Sequence, residues 1–204
     1  MKHWPILVIA TLLAGVTGYL SYLFQPKVDL PPLPDSVQIQ HKIGGDFTLL
    51  KHDGTTVTAK DFHGQYLLIY FGFTYCPDVC PTSLVQMVRA IQELAPEKRQ
   101  KILPVLITID PERDTTKELA AYVADFDPRL VGLGGSLEQI RDIAQKYKVY
   151  FRKSGSKDDM KNGNYLVDHS SFFYLIKPDG TFSHMFNGHI DTETLRDNLE
   201  RIIP

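Results

Sequence analysis

The stretch Tyr75-Cys76-Pro77-Asp78-Val79-Cys80-Pro81 constrains this chain more than any other, because it holds the two cysteines of the sequence. The apolar run Leu67-Leu68-Ile69-Tyr70-Phe71 leads into it. Apolar residues at helical spacing, Leu84, Met87, Val88, Ile91 and Leu94, lead out of it. The pattern predicts a buried strand that hands two thiols to the first turn of a helix. Unpaired amides and the positive end of the helix dipole gather there, and both favour a thiolate. Cysteines four positions apart share one face of a helical turn, which predicts sulfurs close enough to hold a common ligand.

The remaining pattern is that of an α/β domain beginning near Ile43. Phe47 to Lys51 and Thr55 to Thr58 flank His52-Asp53-Gly54, a hairpin signal. Tyr66 to Phe73 and Ile102 to Ile109 are apolar on both faces, as central parallel strands are. The cysteine helix is expected to end near Leu94, ahead of Pro96. Thr115-x-x-Glu118 and Ser136-x-x-Gln139 read as capping boxes for two further helices, reaching about Phe126 and Tyr147. Leu130 to Leu133 is expected as a short strand, Tyr150 to Lys153 as an edge strand, and Ser154 to Asn164 as a loop. Phe172 to Ile176 and Thr181 to Phe186 flank Lys177-Pro178-Asp179-Gly180 as a second hairpin. Thr192 to Ile203 closes the chain as an amphipathic helix. Alternating βα units imply a central mixed sheet flanked by helices. A βαβ half followed by ββα, with cysteines after the first central strand, is the thioredoxin-like arrangement, here with an N-terminal hairpin extension. That topology alone assigns no activity.

Ahead of the domain, Trp4 to Phe24 is an apolar run broken by Thr11, Thr17 and Ser21. Its length suits a single membrane-spanning helix, and its aromatic ends suit the two interfaces. Lys2 and the amino terminus before it favour a cytoplasmic N-terminus, with the rest of the chain across the membrane. The competing reading is a cleaved signal peptide, with Val16-Thr17-Gly18 as a weak site. Pro26, Pro31, Pro32 and Pro34 make the next segment an extended, stiff spacer. The expected domains are therefore residues 1–24 as N-terminus and anchor, 25–42 as a Pro-rich linker, and 43–204 as the folded unit.

A formal net charge of -2 over 204 residues argues against a nucleic-acid binder. Two cysteines make no disulfide framework. They leave one bridge, one redox couple or part of a metal site. Zinc fits poorly, since a structural zinc site wants four ligands. Two thiolates are soft donors that select Cu(I), and a third ligand is then needed. Of the seven histidines, His169 stands out, in Leu166-Val167-Asp168-His169-Ser170-Ser171 just before the late hairpin. In a thioredoxin-like fold that junction lies beside the cysteine helix. An imidazole there completes a trigonal set suited to Cu(I) and able to hold Cu(II). Asp168 is a candidate to orient that ring, or else a loop carboxylate. Asp78, between the thiols, either favours the helix dipole or tunes the site and meets a basic partner. Asp110-Pro111-Glu112-Arg113-Asp114 follows a central strand at the ligand-binding end of the sheet. It reads foremost as a loop that caps the next helix, with Arg113 paired to a carboxylate and a role in docking allowed.

Taken together, these residues resemble the Sco/SenC family of membrane-anchored copper chaperones for cytochrome c oxidase assembly. Tyr70 through Pro81, Asp110 through Thr115, and Val167-Asp168-His169-Ser170 match its three motifs in order, and the likeness runs from about Ile43 to the C-terminus, plus the anchor. Two positions depart: Tyr75 stands where many members have histidine, and Thr116 replaces a frequent proline. The resemblance implies that Cys76, Cys80 and His169 bind copper. It also implies delivery to, or thiol reduction of, the binuclear copper site of an oxidase subunit. Partners would be that subunit and possible periplasmic copper donors or thiol reductants. The expected location is the inner membrane with the domain in the periplasm, or else the mitochondrial inner membrane facing the intermembrane space. The rival activity is a thiol–disulfide oxidoreductase cycling Cys76 and Cys80. A peroxidase or stress sensor is disfavoured, since Arg113 is the one nearby cation in the motifs. A structural disulfide is disfavoured by the exposed, Pro-flanked setting of the cysteines.

Overall fold

The computed structural model describes residues 43–204, so the expected anchor at 1–24 and linker at 25–42 lie outside the described residues. Among the described residues no helix is long and apolar enough to cross a membrane. Seven strands make the main sheet: β1 (Thr48–Lys51), β2 (Thr56–Thr58), β3 (Tyr66–Gly72), β4 (Ile102–Thr108), β5 (Val131–Gly134), β8 (Phe172–Ile176) and β9 (Phe182–Asn187), in the order β2-β1-β5-β4-β3-β8-β9. The β3–β4 and β4–β5 pairs are parallel and the others antiparallel. The mixed sheet therefore has a parallel centre and antiparallel edges, as the sequence pattern implies.

Alternation along β3 sorts the core into two layers. Tyr70 packs against Phe173 on one face, toward helix α1 (Val79–Gln92). Phe71 points the other way, onto Tyr147 of helix α4 (Leu137–Tyr147) and Tyr174. Helix α1 buries Cys80, Leu84, Met87, Val88 and Ile91, one apolar stripe at helical spacing. Each fully buried apolar side chain of that stripe contributes about 1.5–3 kcal/mol. After α1 the chain makes one turn of helix, α2 (Pro96–Arg99), opened by Pro96. The closing helix, α6 (Thr192–Ile202), is N-capped by Asp191 and packs beside α1.

Both expected helix starts at the sheet end are present. Ser136 and Gln139 make a full capping box for α4. Thr115 caps α3 (Thr116–Ala124) by accepting the Glu118 N–H, but Glu118 does not return the bond, so this box is half made. The region from residue 150 to 170 departs most from expectation. β6 (Phe151–Ser154) is not an edge of the main sheet. It pairs with a strand that the pattern did not reveal, β7 (Leu166–His169), in a separate two-stranded sheet. The expected loop between them holds a short helix, α5 (Lys157–Asn162), with a complete Ser156–Asp159 capping box and Gly163 in the left-handed region at its C-cap. This arm buries few side chains, which is why no strong hydrophobic period marks it in the sequence.

Candidate metal centre

The cysteine side of the site is built directly on the core. β3 ends at Gly72, and the chain turns through buried Phe73. Thr74 is tied to the buried Asp114 carboxylate through its N–H at 3.1 Å and its hydroxyl at 2.6 Å. The same carboxylate accepts the Thr108 hydroxyl at the end of β4. Burial raises the Asp114 pKa, and the hydrogen bonds from Thr108 and Thr74 oppose that rise. The Cys76 N–H then donates to the Phe73 carbonyl at 3.3 Å. Asp114 thus holds the loop ahead of the first thiol, so the Asp110–Thr115 motif acts on the site through loop shape.

The two thiols do not share a helical turn. Helix α1 begins at Val79 with exposed Asp78 as its N-cap, so Cys76 lies in the preceding loop and Cys80 in the first turn. The sulfurs still meet, for a different reason: the Cys80 N–H, an orphan donor of the helix start, points at Cys76 Sγ at 3.4 Å. The environments of the two sulfurs are opposed. The hydrogen bond from the neighbouring Cys80 thiol, foremost, and the backbone amides pull Cys76 down to about 4. The hydrogen bond to the Cys76 sulfur, complete burial and the charge on Cys76 push Cys80 up. Neither cysteine is in a disulfide. The result is one half-buried thiolate beside one buried thiol.

The histidine side comes from the small arm. His169 ends β7 opposite Phe151. The next residue fastens the strand end: Ser170 N–H donates to the Tyr150 carbonyl at 2.9 Å, and the Tyr150 N–H donates to the Ser170 hydroxyl at 3.1 Å. His169 Nδ1 lies 3.0 Å from the Ser170 carbonyl oxygen. A carbonyl can only accept, so Nδ1 carries the proton and the Nε2 lone pair is free. Nε2 stands 3.5 Å from Cys80 Sγ. The rings of Tyr70 and Phe73 meet the imidazole edge-on, with centroids at 6.2 and 6.0 Å.

Asp168 does not orient this ring. It alternates to the other side of β7, where its contact is exposed Arg152 at 3.8 Å, and the ring's Nδ1 partner is a backbone carbonyl instead. Asp78 makes no side-chain capping bond and lies exposed at the rim between the thiols. Arg113 pairs with buried Asp110, as the sequence suggests, and donates from Nη1 to the carbonyls of Gly163 and Tyr165 at 3.0 and 2.9 Å. Of the other histidines, His184 and His189 are exposed, and His52 Nδ1 accepts the Gly132 N–H. His3 and His41 lie outside the described residues.

Supporting residues that the sequence reading passed over close the site from behind. A Cβ on Gly72 would stand 2.9 Å from Tyr70 Cε1 and 3.1 Å from Cys80 Sγ, so the absent side chain is what admits the sulfur. Gly188 approaches Ser171 so closely that a Cβ would fall 2.1 Å from the Ser171 hydroxyl. Ser171 in turn meets the Tyr70 hydroxyl at 3.2 Å, and Ser83 donates to the Gly188 carbonyl at 2.9 Å. A glycine that ends an otherwise apolar strand was the available signal for Gly72. Ser83 and Gly188 carry no local signal, because their partners are 105 residues apart.

The donor set suits one soft ion. An ion bonded at about 2.3 Å to sulfur and about 2.0 Å to nitrogen, with about 120° between them, holds those atoms about 3.7 Å apart. The Cys80–His169 spacing of 3.5 Å is within a few tenths of that. Among the described residues no three His, Cys, Asp or Glu side chains stand as a finished cage. Closing this set on an ion therefore needs side-chain adjustment, for which half-buried Cys76 and His169 have more room than buried Cys80.

A sheet with helices on both faces, two reduced thiols where its central strand meets a helix, and a histidine brought beside them from the approach to the last hairpin define a thioredoxin-like domain of the kind built around a cysteine pair. The chain belongs to the SCO1/SenC family, whose profile matches residues 36–204. It is 42% identical over 192 residues to protein sco1 of Schizosaccharomyces pombe, covering 91% of this chain and 73% of that one. It is also 42% identical to the SCO2-like protein RC0895 of Rickettsia conorii, covering 89% and 88%. It spans 58% of the length of the mitochondrial SCO2 homolog of Bos taurus. Among solved structures, Arabidopsis thaliana ScoI with copper bound superposes with a TM-score of 0.71 at 39% identity, covering 78% of this chain and 96% of that one. Bradyrhizobium japonicum ScoI with copper bound gives a TM-score of 0.70 at 38% identity, covering 79% and 99%.

Proposed function

We propose that this protein binds copper through Cys76, Cys80 and His169 and carries it, as cargo, to the binuclear copper site of a cytochrome c oxidase subunit. One observation carries the reading: the free Nε2 of His169 lies 3.5 Å from Cys80 Sγ while Nδ1 is held by a carbonyl. Copper-bound structures of similar proteins support the choice of ion. Two sulfurs favour Cu(I), and the imidazole extends the set to Cu(II). Cys76, the less buried of the two sulfurs, is where the acceptor's own ligands enter. The apolar run before the domain anchors it, and the Pro-rich segment holds it off the surface, in a bacterial periplasm or in a mitochondrial intermembrane space. Metal analysis of the reduced protein beside His169→Ala tests the set. The parent retains one copper per chain, and the variant binds at least about tenfold more weakly, since even outer-shell changes cost 10–100-fold. Equal retention would remove His169 from the ligand set.

A second reading rests on the opposed thiols. The Cys76 thiolate attacks a disulfide in the client, forming a mixed disulfide and releasing a client thiolate. Cys80 gives its proton to the released client thiolate and attacks Cys76 Sγ, breaking the mixed disulfide and expelling the client's second sulfur as a thiolate that takes a proton from water, which leaves a Cys76–Cys80 disulfide and a client with both thiols reduced. Two electrons pass from this pair to the client, which prepares those cysteines for copper. The reaction survives His169→Ala and stops without Cys76. Trapping the mixed disulfide with Cys80→Ser is its direct assay.

A further inference from the structure

We propose that Arg113 is a positioning residue for this centre, a latch that holds the Cys76 loop and the His169 strand at a fixed separation. The inference deepens the copper reading above and rests on its ligand set. Arg113 touches both sides of the site. On the arm, its Nη1 holds the carbonyls of Gly163 and Tyr165, the residues that lead into β7 and so to His169. On the cysteine side, its guanidinium carbon lies 4.7 Å from the ring centroid of Tyr75, the residue before Cys76. The same carbon is 3.8 Å from the Tyr165 ring and 5.9 Å from the Phe73 ring, all within cation–π range. Phe73 itself meets the His169 ring edge-on.

The latch is anchored below. Nε pairs with Asp110, whose other oxygen accepts the Tyr165 hydroxyl at 2.8 Å. Lys153 of β6 covers Tyr165 at 4.3 Å and pairs with Glu112. A planar group can stack on one ring and fork to several acceptors at once, whereas an ammonium cannot. Tyr75 is 56% exposed, so its ring is held on Arg113 and not in the core. Tyr75 thus serves as the grip by which Arg113 holds the thiol loop.

The test uses reduced, metal-free protein, comparing Arg113→Lys, Tyr75→Ala and Tyr75→Phe with the parent. The readouts are backbone amide exchange at residues 166–170 and the rate of Cys76 alkylation. Arg113→Lys is expected to speed exchange there at least tenfold and alkylation at least threefold. Tyr75→Ala speeds alkylation alone, and Tyr75→Phe, which keeps the ring, matches the parent. On loading with Cu(II), Arg113→Lys shifts the sulfur-to-copper absorption band, and Tyr75→Phe does not. Parent-like values for both Arg113→Lys and Tyr75→Ala overturn the proposal, as does an Arg113→Lys effect spread evenly over the domain. If Arg113→Lys fails to fold, the Tyr75 pair decides alone: equal alkylation for Ala and Phe overturns it. Because exchange and alkylation are read without metal, a failed copper titration counts against the ligand set and not the latch.

Discussion

Cys80 sits in the first turn of a helix laid on the seven-stranded sheet, and it is completely buried. His169 ends a four-residue strand paired with β6 in a two-stranded sheet of its own. One donor is part of the core and the other is carried to it on an arm. In the copper reading the core thiol fixes where the ion rests, while the place of the arm donor is set by the few bonds that fasten the arm, those of Ser170 and Arg113.

That contrast is most directly broken by comparing Cys80→Ser with His169→Ala. A hydroxyl replaces the buried soft donor in the first, so copper binding is expected to vanish, whereas the second weakens it and leaves the sulfur pair in place. Titration of both reduced variants with Cu(I) checks this, and equal losses would mean that core and arm contribute alike. Gly72→Ala is the next largest effect. Its new Cβ presses on Tyr70 and Cys80 Sγ, at an overpacking cost of about 1–3 kcal/mol. For a domain of this size each kcal/mol lowers the thermal midpoint by roughly 2–4 °C. Calorimetry should record that loss together with weaker copper binding.

The two sulfurs give a third test. Cys76 is held near 4 while Cys80 is raised. A pKa lowered in the folded state contributes stability that is complete above the unfolded thiol value, about 8.5, and is lost as pH falls through the folded value. Stability from Cys76 therefore climbs with pH across the interval from about 4 to about 8.5. Alkylation of Cys76 should already be near its plateau at neutral pH while Cys80 stays unmodified. A midpoint near 8.5 for both would remove the asymmetry. The smallest effect is expected at Asp168→Asn. Its exposed pair with Arg152 at 3.8 Å is worth about 0–1 kcal/mol, and its carboxylate does not touch the imidazole. Copper affinity should change less than about twofold, since outer-shell losses of 10–100-fold belong to groups that bond a ligand.

Much of the fold was legible because its signals are local. β3 and β4 announce themselves as continuous apolar runs, α1 as a stripe at helical spacing, and α4 through Ser136 and Gln139. The arm was legible only in part: β6 shows as a strand, but its partner β7, Leu-Val-Asp-His, is too short and too polar for a strand period to declare itself, and the separate sheet they form has no local signal. The thiols show the same limit of local signals. Their spacing fits one turn of helix, but Pro77 and Asp78 delay the helix, and the sulfurs converge through an amide instead. Of the two readings of Asp168, ring-orienting or free carboxylate, strand alternation decides for the second by turning it to the side opposite His169.

The sequence by itself determined the candidate donors, two thiols and a histidine, and the strand–helix junction that bears the thiols. Chemical identity and hydrophobic period are properties of the residues and need no partner to be read. Tertiary structure alone decided which imidazole nitrogen faces sulfur, why Gly72 has no side chain, and how Arg113 and Ser171 brace the site. Those depend on contacts between residues up to 105 positions apart, and their distances exist only once the sheet has brought the segments together.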